Sequence, residues 1–313
     1  MKKILFLALL GLAACKTSKI NPDSYKVKET SVVETLKYLA SDELEGRDSG
    51  SKGIEKAAAY LEQQLKQHGI KPYFSSYKDT LSNYKDTSYN VVGVIKGTDP
   101  KLKDEYVILG AHYDHIGITD KGFEGDHINN GANDNASGTT VLTEIAKYLG
   151  DARINKRSVL IVFFSAEEKG LLGSKHLAEK LKKSHMNVYA MLNFEMLGVP
   201  MDYDFDLFLT GFSKSNMAQK LNEYAGSKLI GASEGAEKYN LFAASDNFPF
   251  YNEFKVPSHT VSAFDFSNFK YYHHPKDEFQ EMDVKFMTAV SQKMIPVVVK
   301  MVNAGTKEIQ LNQ

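Results

Sequence analysis

Between residues 90 and 225, short β-branched and aromatic runs alternate with stretches of helical periodicity, and this alternation limits the possible folds more than any other feature. The runs are Asn90–Ile95, Tyr106–Ala111, Ser158–Phe164, Val188–Asn193 and Phe205–Leu209, and helical spacing marks 138–149, 170–182 and 214–225. Near-continuous apolar strands are those buried on both faces, and helices between them carry the chain from one strand to the next. The pattern predicts an α/β fold with a mixed, largely parallel central sheet flanked by helices. Two packing helices are expected earlier, from Val32, Val33, Leu36 and Leu39 and from Ile54, Ala58, Leu61 and Leu65. Residues 75–88 read as a polar loop. No Pro/Gly/Ser-rich linker interrupts 31–313, so a single domain is expected there.

The first stretch obeys a different rule. Met1-Lys2-Lys3 is followed by an apolar run from Ile4 to Ala14, too short to cross a bilayer core of roughly 30 Å as a helix. It ends in Leu12-Ala13-Ala14-Cys15, which resembles the lipobox of bacterial lipoproteins. That resemblance implies a signal peptide over 1–14, acylation of Cys15, a polar tether over 15–30 and a lipid-anchored place in the bacterial cell envelope, facing periplasm or exterior. The alternative is a secretory signal with an incidental cysteine. Cys15 is the only cysteine, so the body has no thiol for a disulfide, a nucleophile or a thiolate metal site. The net charge is −1 and no long basic block occurs, which speaks against nucleic acid as a partner.

In open α/β sheets, functional groups gather beyond the carboxyl ends of strands. Three apolar runs and two further loops lead into such groups here. His112-Tyr113-Asp114-His115 follows the second run, and Asp134 lies in Gly131-Ala132-Asn133-Asp134-Asn135-Ala136-Ser137-Gly138 before the next helix. Glu167-Glu168 follows the third, Glu195 the fourth, and Tyr272-His273-His274-Pro275-Lys276-Asp277 comes late. Imidazoles and carboxylates without thiolates suit zinc, and a bridging carboxylate allows two ions about 3.5–4 Å apart. Of two adjacent glutamates, one can coordinate while the other takes a proton from water.

The ordered fragments AHYDHIG, GANDNASG, FSAEEKGLLGS, LNFEMLG and SDNFPF, followed by YHHPKD and preceded by LASDELEGRDSGSKG, resemble the co-catalytic dizinc exopeptidases. That family is typified by bacterial leucyl aminopeptidases and includes, more distantly, glutamate carboxypeptidase II. The resemblance implies the zinc-dependent exopeptidase fold, two zinc ions per chain and hydrolysis of N-terminal residues from peptides. It implies that His112 and Glu195 bind one metal, Glu168 and His273 the other, and that Asp134 bridges them. Glu167 takes the place of the general base, and Asp114 that of the acid that fixes the tautomer of His112. Glu195 stands where the family often has Asp, and His274 where it usually has Thr, which leaves His274 as the alternative ligand to His273. Asp246 is assigned either to substrate contact or to a turn. Tyr239, Tyr251 and Tyr272 are candidates for the oxyanion donor, and His115 and His127 are expected to make ordinary polar contacts near the mouth.

Two other classes fit parts of the pattern. One is a glutaminyl cyclase-like zinc transferase, the other a metal-free binding lipoprotein on the same fold.

Overall fold

The computed structural model describes residues 21–312. The signal segment, Cys15 and the first part of the tether therefore lie outside the described residues.

Helices α1 (Glu29–Leu39) and α2 (Lys52–Gln67) lead into β1 (Lys71–Pro72), β2 (Lys78–Thr80), β3 (Tyr89–Ile95) and β4 (Glu105–His112). A hairpin of β5 (Gly117–Phe123) and β6 (Asp126–Asn129) precedes α3 (Gly138–Ala152), β7 (Ser158–Phe164), α4 (Leu172–Lys183) and β8 (Asn187–Glu195). The remaining elements are β9 (Leu207–Leu209), α5 (Met217–Ala225), β10 (Ile230–Gly231), α6 (Glu234–Lys238), α7 (Asn247–Phe254), β11 (Ser258–Ser262) and α8 (Val284–Asn303).

The main sheet runs β1-β3-β7-β4-β8-β11-β9-β10, with β2 also paired to β3. Its four central strands, β7, β4, β8 and β11, are parallel, whereas β3 against β7 and β9 against β11 are antiparallel. The expected sheet is thus mixed, with its parallel part at the centre. Every residue of β3 and β7 is buried, as their uninterrupted apolar sequences require. Alternate side chains serve two cores. Leu109, Ile161 and Leu192 join helices α1, α2, α3, α5 and α8 on one face, while Ile108, Leu160 and Met191 meet α4 and α7 on the other.

Three elements go beyond those expected from the sequence pattern. Residues 78–80 of the polar loop pair with β3. Strand β11 (SHTVS) has one strongly apolar residue, Val261, yet is wholly buried because its polar side chains find partners inside. Helix α8 carries Pro296 within a β-branched run, and burial of Met287, Val290, Met294 and Val298 overrides that poor helix propensity.

Candidate metal centre

Because β4, β7, β8 and β11 are parallel, their carboxyl ends share one edge of the sheet. His112 closes β4, Glu167 and Glu168 follow β7 by three and four residues, and Glu195 closes β8. Asp134 arrives on the irregular turn before α3, with a cis peptide to Asn135. His273 comes from the loop after β11.

These residues converge into two groups of ligating atoms, His115, Asp134, Glu168 and His273 in one and His112, Glu167 and Glu195 in the other. Asp134 joins them: its Oδ1 lies 3.3 Å from His112 Nε2, and its Oδ2 lies 3.2 Å from His273 Nε2. His273 Nε2 is also 3.1 Å from Glu168 Oε2. His115, expected to make only a peripheral contact, is fully buried here and donates from Nδ1 to Glu168 Oε1 at 2.9 Å. The clue was its place one residue beyond Asp114 in the same strand-end loop. His127 does remain peripheral, bonded to the Thr119 carbonyl. His274 turns away from this cluster, with Nδ1 accepting from the Lys276 amide and its ring against Phe123.

The turn holding Asp134 is bonded on two sides. The Asn133 and Asp134 amides donate to the Asp277 carboxylate at 2.7 and 3.0 Å. Asn133 and Asn135 accept from the Gly198 and Met196 amides through their side-chain oxygens, tying the turn to the segment after Glu195. Gly131 adopts φ +56°, and a Cβ there would lie 2.6 Å from the His115 ring. The asparagines and glycines of GANDNASG are therefore geometric requirements of the turn.

Asp114 departs from its expected duty. His112 Nδ1 donates to the Asp114 main-chain carbonyl at 3.2 Å, while the carboxylate lies 3.7 Å away. That carboxylate instead accepts the Glu167 and Glu168 amides at 3.2 and 3.3 Å. Residue 114 thus orients the imidazole through its backbone and the glutamate pair through its side chain.

The extra methylene of Glu195 is accommodated by hydroxyl and amide donors. Ser245 donates to Glu195 Oε2, which Asn193 also reaches at 3.4 Å. Asp246 is fully buried at the start of α7, and neither of its carboxylate oxygens has a hydrogen-bond partner among the described residues. Burial pushes its carboxyl up to about 7, and that of Glu195 likewise.

The two adjacent glutamates are biased in opposite directions. Burial, reinforced by Glu195, Asp246 and Glu168, holds the Glu167 carboxyl well above the usual range. Burial also opposes charge on Glu168, but His115 and His273 outweigh it and bring the carboxyl below its ordinary value. On Asp134 the same opposition is won by His112, His273 and His115.

The donors fit divalent zinc. His112 Nε2 is buried with no hydrogen bond made and faces Asp134 Oδ1 at 3.3 Å, an imidazole nitrogen turned toward a carboxylate. A cavity of about 60 Å³ adjoins Glu195 and is walled by Met196, Phe208, Leu241, Ser245 and Tyr272. Tyr272 stacks on His273 with centroids 4.0 Å apart. Tyr239 packs on Phe266 and Tyr251 on Phe242, so of the three tyrosines it is Tyr272 that stacks on a candidate ligand. A larger groove along α5 contains none of these residues.

Such a fold, with acids and histidines from successive strand ends facing one another, belongs to the metallopeptidase class. Residues 90–298 match the model of Peptidase family M28, and the chain belongs to that family. Aminopeptidase YwaD of Bacillus subtilis is 32% identical over 173 residues, covering 53% of this chain and 33% of that protein. The chain spans only 22% to 33% of the length of the first curated relatives it matches. An aminopeptidase from Aneurinibacillus sp. strain AM-1 superposes with a TM-score of 0.68 at 17% identity, covering 92% of this chain and 97% of its own. Glutaminyl cyclase of Bacteroides thetaiotaomicron, bound to N-acetylhistamine, superposes at 0.66 with 18% identity, covering 88% and 98%. At these identities the two structures speak for the fold alone.

Proposed function

We propose that the chain is a zinc-dependent aminopeptidase that removes N-terminal residues from peptides, with Glu167 as general base. The observation that carries this reading is the opposite bias on adjacent carboxyls. His115 and His273 bring the Glu168 carboxyl below its ordinary value, while burial holds that of Glu167 well above it, the raised proton affinity that a general base uses.

His112 and Glu195 would hold one ion, Glu168 and His273 the other, with Asp134 shared and His115 beside the second. Zinc so bound supplies Lewis acidity toward the scissile carbonyl and acidifies the attacking water. Glu167 takes the water's proton and returns it to the departing amine. Tyr272, whose phenol is pushed far up by burial and by nearby Asp134 and Glu168, stays protonated and donates to the oxyanion. The side chain of the first residue enters the cavity beside Glu195.

A carboxypeptidase would need arginines facing the site. Arg47 is consumed by main-chain carbonyls, Arg153 binds the Gly69 carbonyl and Arg157 pairs with Glu105, and these are the chain's three arginines. The cyclase reading is favoured only by the Bacteroides likeness. A metal-free binding protein is disfavoured by the complete donor set. Lipid attachment at Cys15, and with it the cell envelope as location, completes the proposal, supported by the lipobox-like LAAC.

The test is incubation of the purified chain with aminoacyl reporters and a Gln-initiated peptide, with chelator or added zinc, read by mass spectrometry. Release of a free amino acid that chelator stops and zinc restores supports the proposal. Loss of ammonia from the Gln peptide without release would favour the cyclase.

A further inference from the structure

The fragment LASDELEGRDSGSKG lies before the family match, which begins at residue 90, and the proposed chemistry gives it no part. Its central residues nevertheless touch three of the loops that carry the candidate ligands. Glu45, Gly46 and Arg47 have φ of 51°, 67° and 51°, a sharp left-handed bend. At Gly46 a Cβ would fall 2.5 Å from the Asn129 carbonyl oxygen and 2.8 Å from Gly117 Cα, so the bend is pressed against the root of the β5–β6 hairpin.

Arg47 is fully buried. Its Nε donates to the Tyr113 carbonyl at 2.8 Å, Nη2 to Gly131 at 3.0 Å, and Nη1 to Asn130 at 2.6 Å and to Leu39. The Arg47 carbonyl in turn accepts the His115 amide at 3.2 Å. One guanidinium thus fastens the loop of His112 and His115 to the loop that leads into Asp134. Ser49 Oγ donates to Asp114 Oδ2 at 3.3 Å and accepts the Ala166 amide at 2.9 Å, fastening the first of these loops to that of Glu167 and Glu168. A planar fork with five donors can satisfy several diverging carbonyls, whereas an ammonium concentrates three donors at one point.

We propose that Arg47 and Ser49 are positioning residues of the metal centre, setting the spacing between the loops that supply its ligands. The inference rests on the metal reading of that centre. Surrounding groups that orient ligands typically change metal affinity by 10- to 100-fold when removed.

The experiment compares the full chain with Ser49→Ala, Arg47→Lys and Arg47→Met. Zinc affinity is measured by chelator competition, and the unfolding temperature with and without zinc. Ser49→Ala is expected to keep the zinc-free fold but to lose about tenfold in zinc affinity, so that the zinc-induced rise in unfolding temperature shrinks. Arg47→Lys is expected to lose at least as much despite keeping the charge, and Arg47→Met more. Zinc affinity within about twofold of wild type in Ser49→Ala, with any destabilisation equal in both metal states, overturns the proposal, even if the Arg47 variants fail to fold. A wild-type chain that takes up no zinc overturns the metal reading itself, and is seen before any variant is compared.

Discussion

His273 Nε2 meets Asp134 Oδ2 at 3.2 Å, while His112 faces the other oxygen of the same carboxylate at 3.3 Å. One side chain therefore serves both ligand groups. Asp134→Ala is expected to lower the occupancy of both ions, whereas Glu195→Ala should spare one. Elemental analysis after dialysis against limiting zinc reads the difference, and full zinc content in the Asp134 variant would sink the shared role.

Glu167→Gln keeps the shape of the side chain but removes the proton acceptor. Turnover should fall by about 10² to 10⁴ with zinc content unchanged. Wild-type kcat in that variant would move the base elsewhere.

His273→Ala should cost one zinc ion, and His274→Ala should leave stoichiometry intact, because His274 is engaged with the Lys276 amide and Phe123. The reverse pattern would reassign the ligand.

Proton release on metal binding should be measurable. Burial disfavours the charged imidazole of His273, but Asp134 and Glu168 outweigh it and push the group up to about 10, so it is protonated at pH 7. A zinc ligand must be neutral, so loading expels that proton and affinity should rise as pH increases from 6 to 9. Titration calorimetry in buffers of different ionisation enthalpy reads the proton count, and zero release at pH 7 contradicts it. In the zinc-free chain the sign is opposite. A raised histidine pKa adds stability that is complete below about 6.5 and is lost as pH rises through about 10, so alkaline unfolding should come early without metal.

Substrate preference follows from the cavity beside Glu195. Its volume of about 60 Å³ is less than half of the roughly 150 Å³ that admits a benzene ring. Peptides beginning with Ala or Val should surpass those beginning with Phe by about tenfold or more in kcat/KM, since an aromatic ring must displace packed side chains at a cost of about 1–3 kcal/mol. Equal rates across the series would show that the first side chain lies elsewhere.

Apolar runs bounded by ionisable residues make the centre of the sheet and the strand-end positions of the candidate ligands legible in the sequence, because burial on both faces leaves an unbroken signature at β3, β4, β7 and β8. Strand β11 escapes that logic, since Ser258, His259 and Thr260 are buried through hydrogen bonds instead of apolar surface. Helix α8 escapes because Pro296 and its valines read against a helix until tertiary packing is known. At the site, His115 and the backbone role of Asp114 depend on side-chain direction within one loop, which residue type does not encode. Arg47 is the extreme case: its partners are carbonyl oxygens, and every residue possesses one.

The candidate ligands begin at His112 and end at His273, so more than half of the chain separates the first from the last. Chain order therefore places metal capture late. The turn that presents Asp134 is itself held by the Asp277 carboxylate, four residues beyond His273, so the pairing of His112 with Asp134 is not fixed until that late loop has docked. Tight retention of zinc should thus coincide with docking of the C-terminal third, making metal uptake a signature of complete folding.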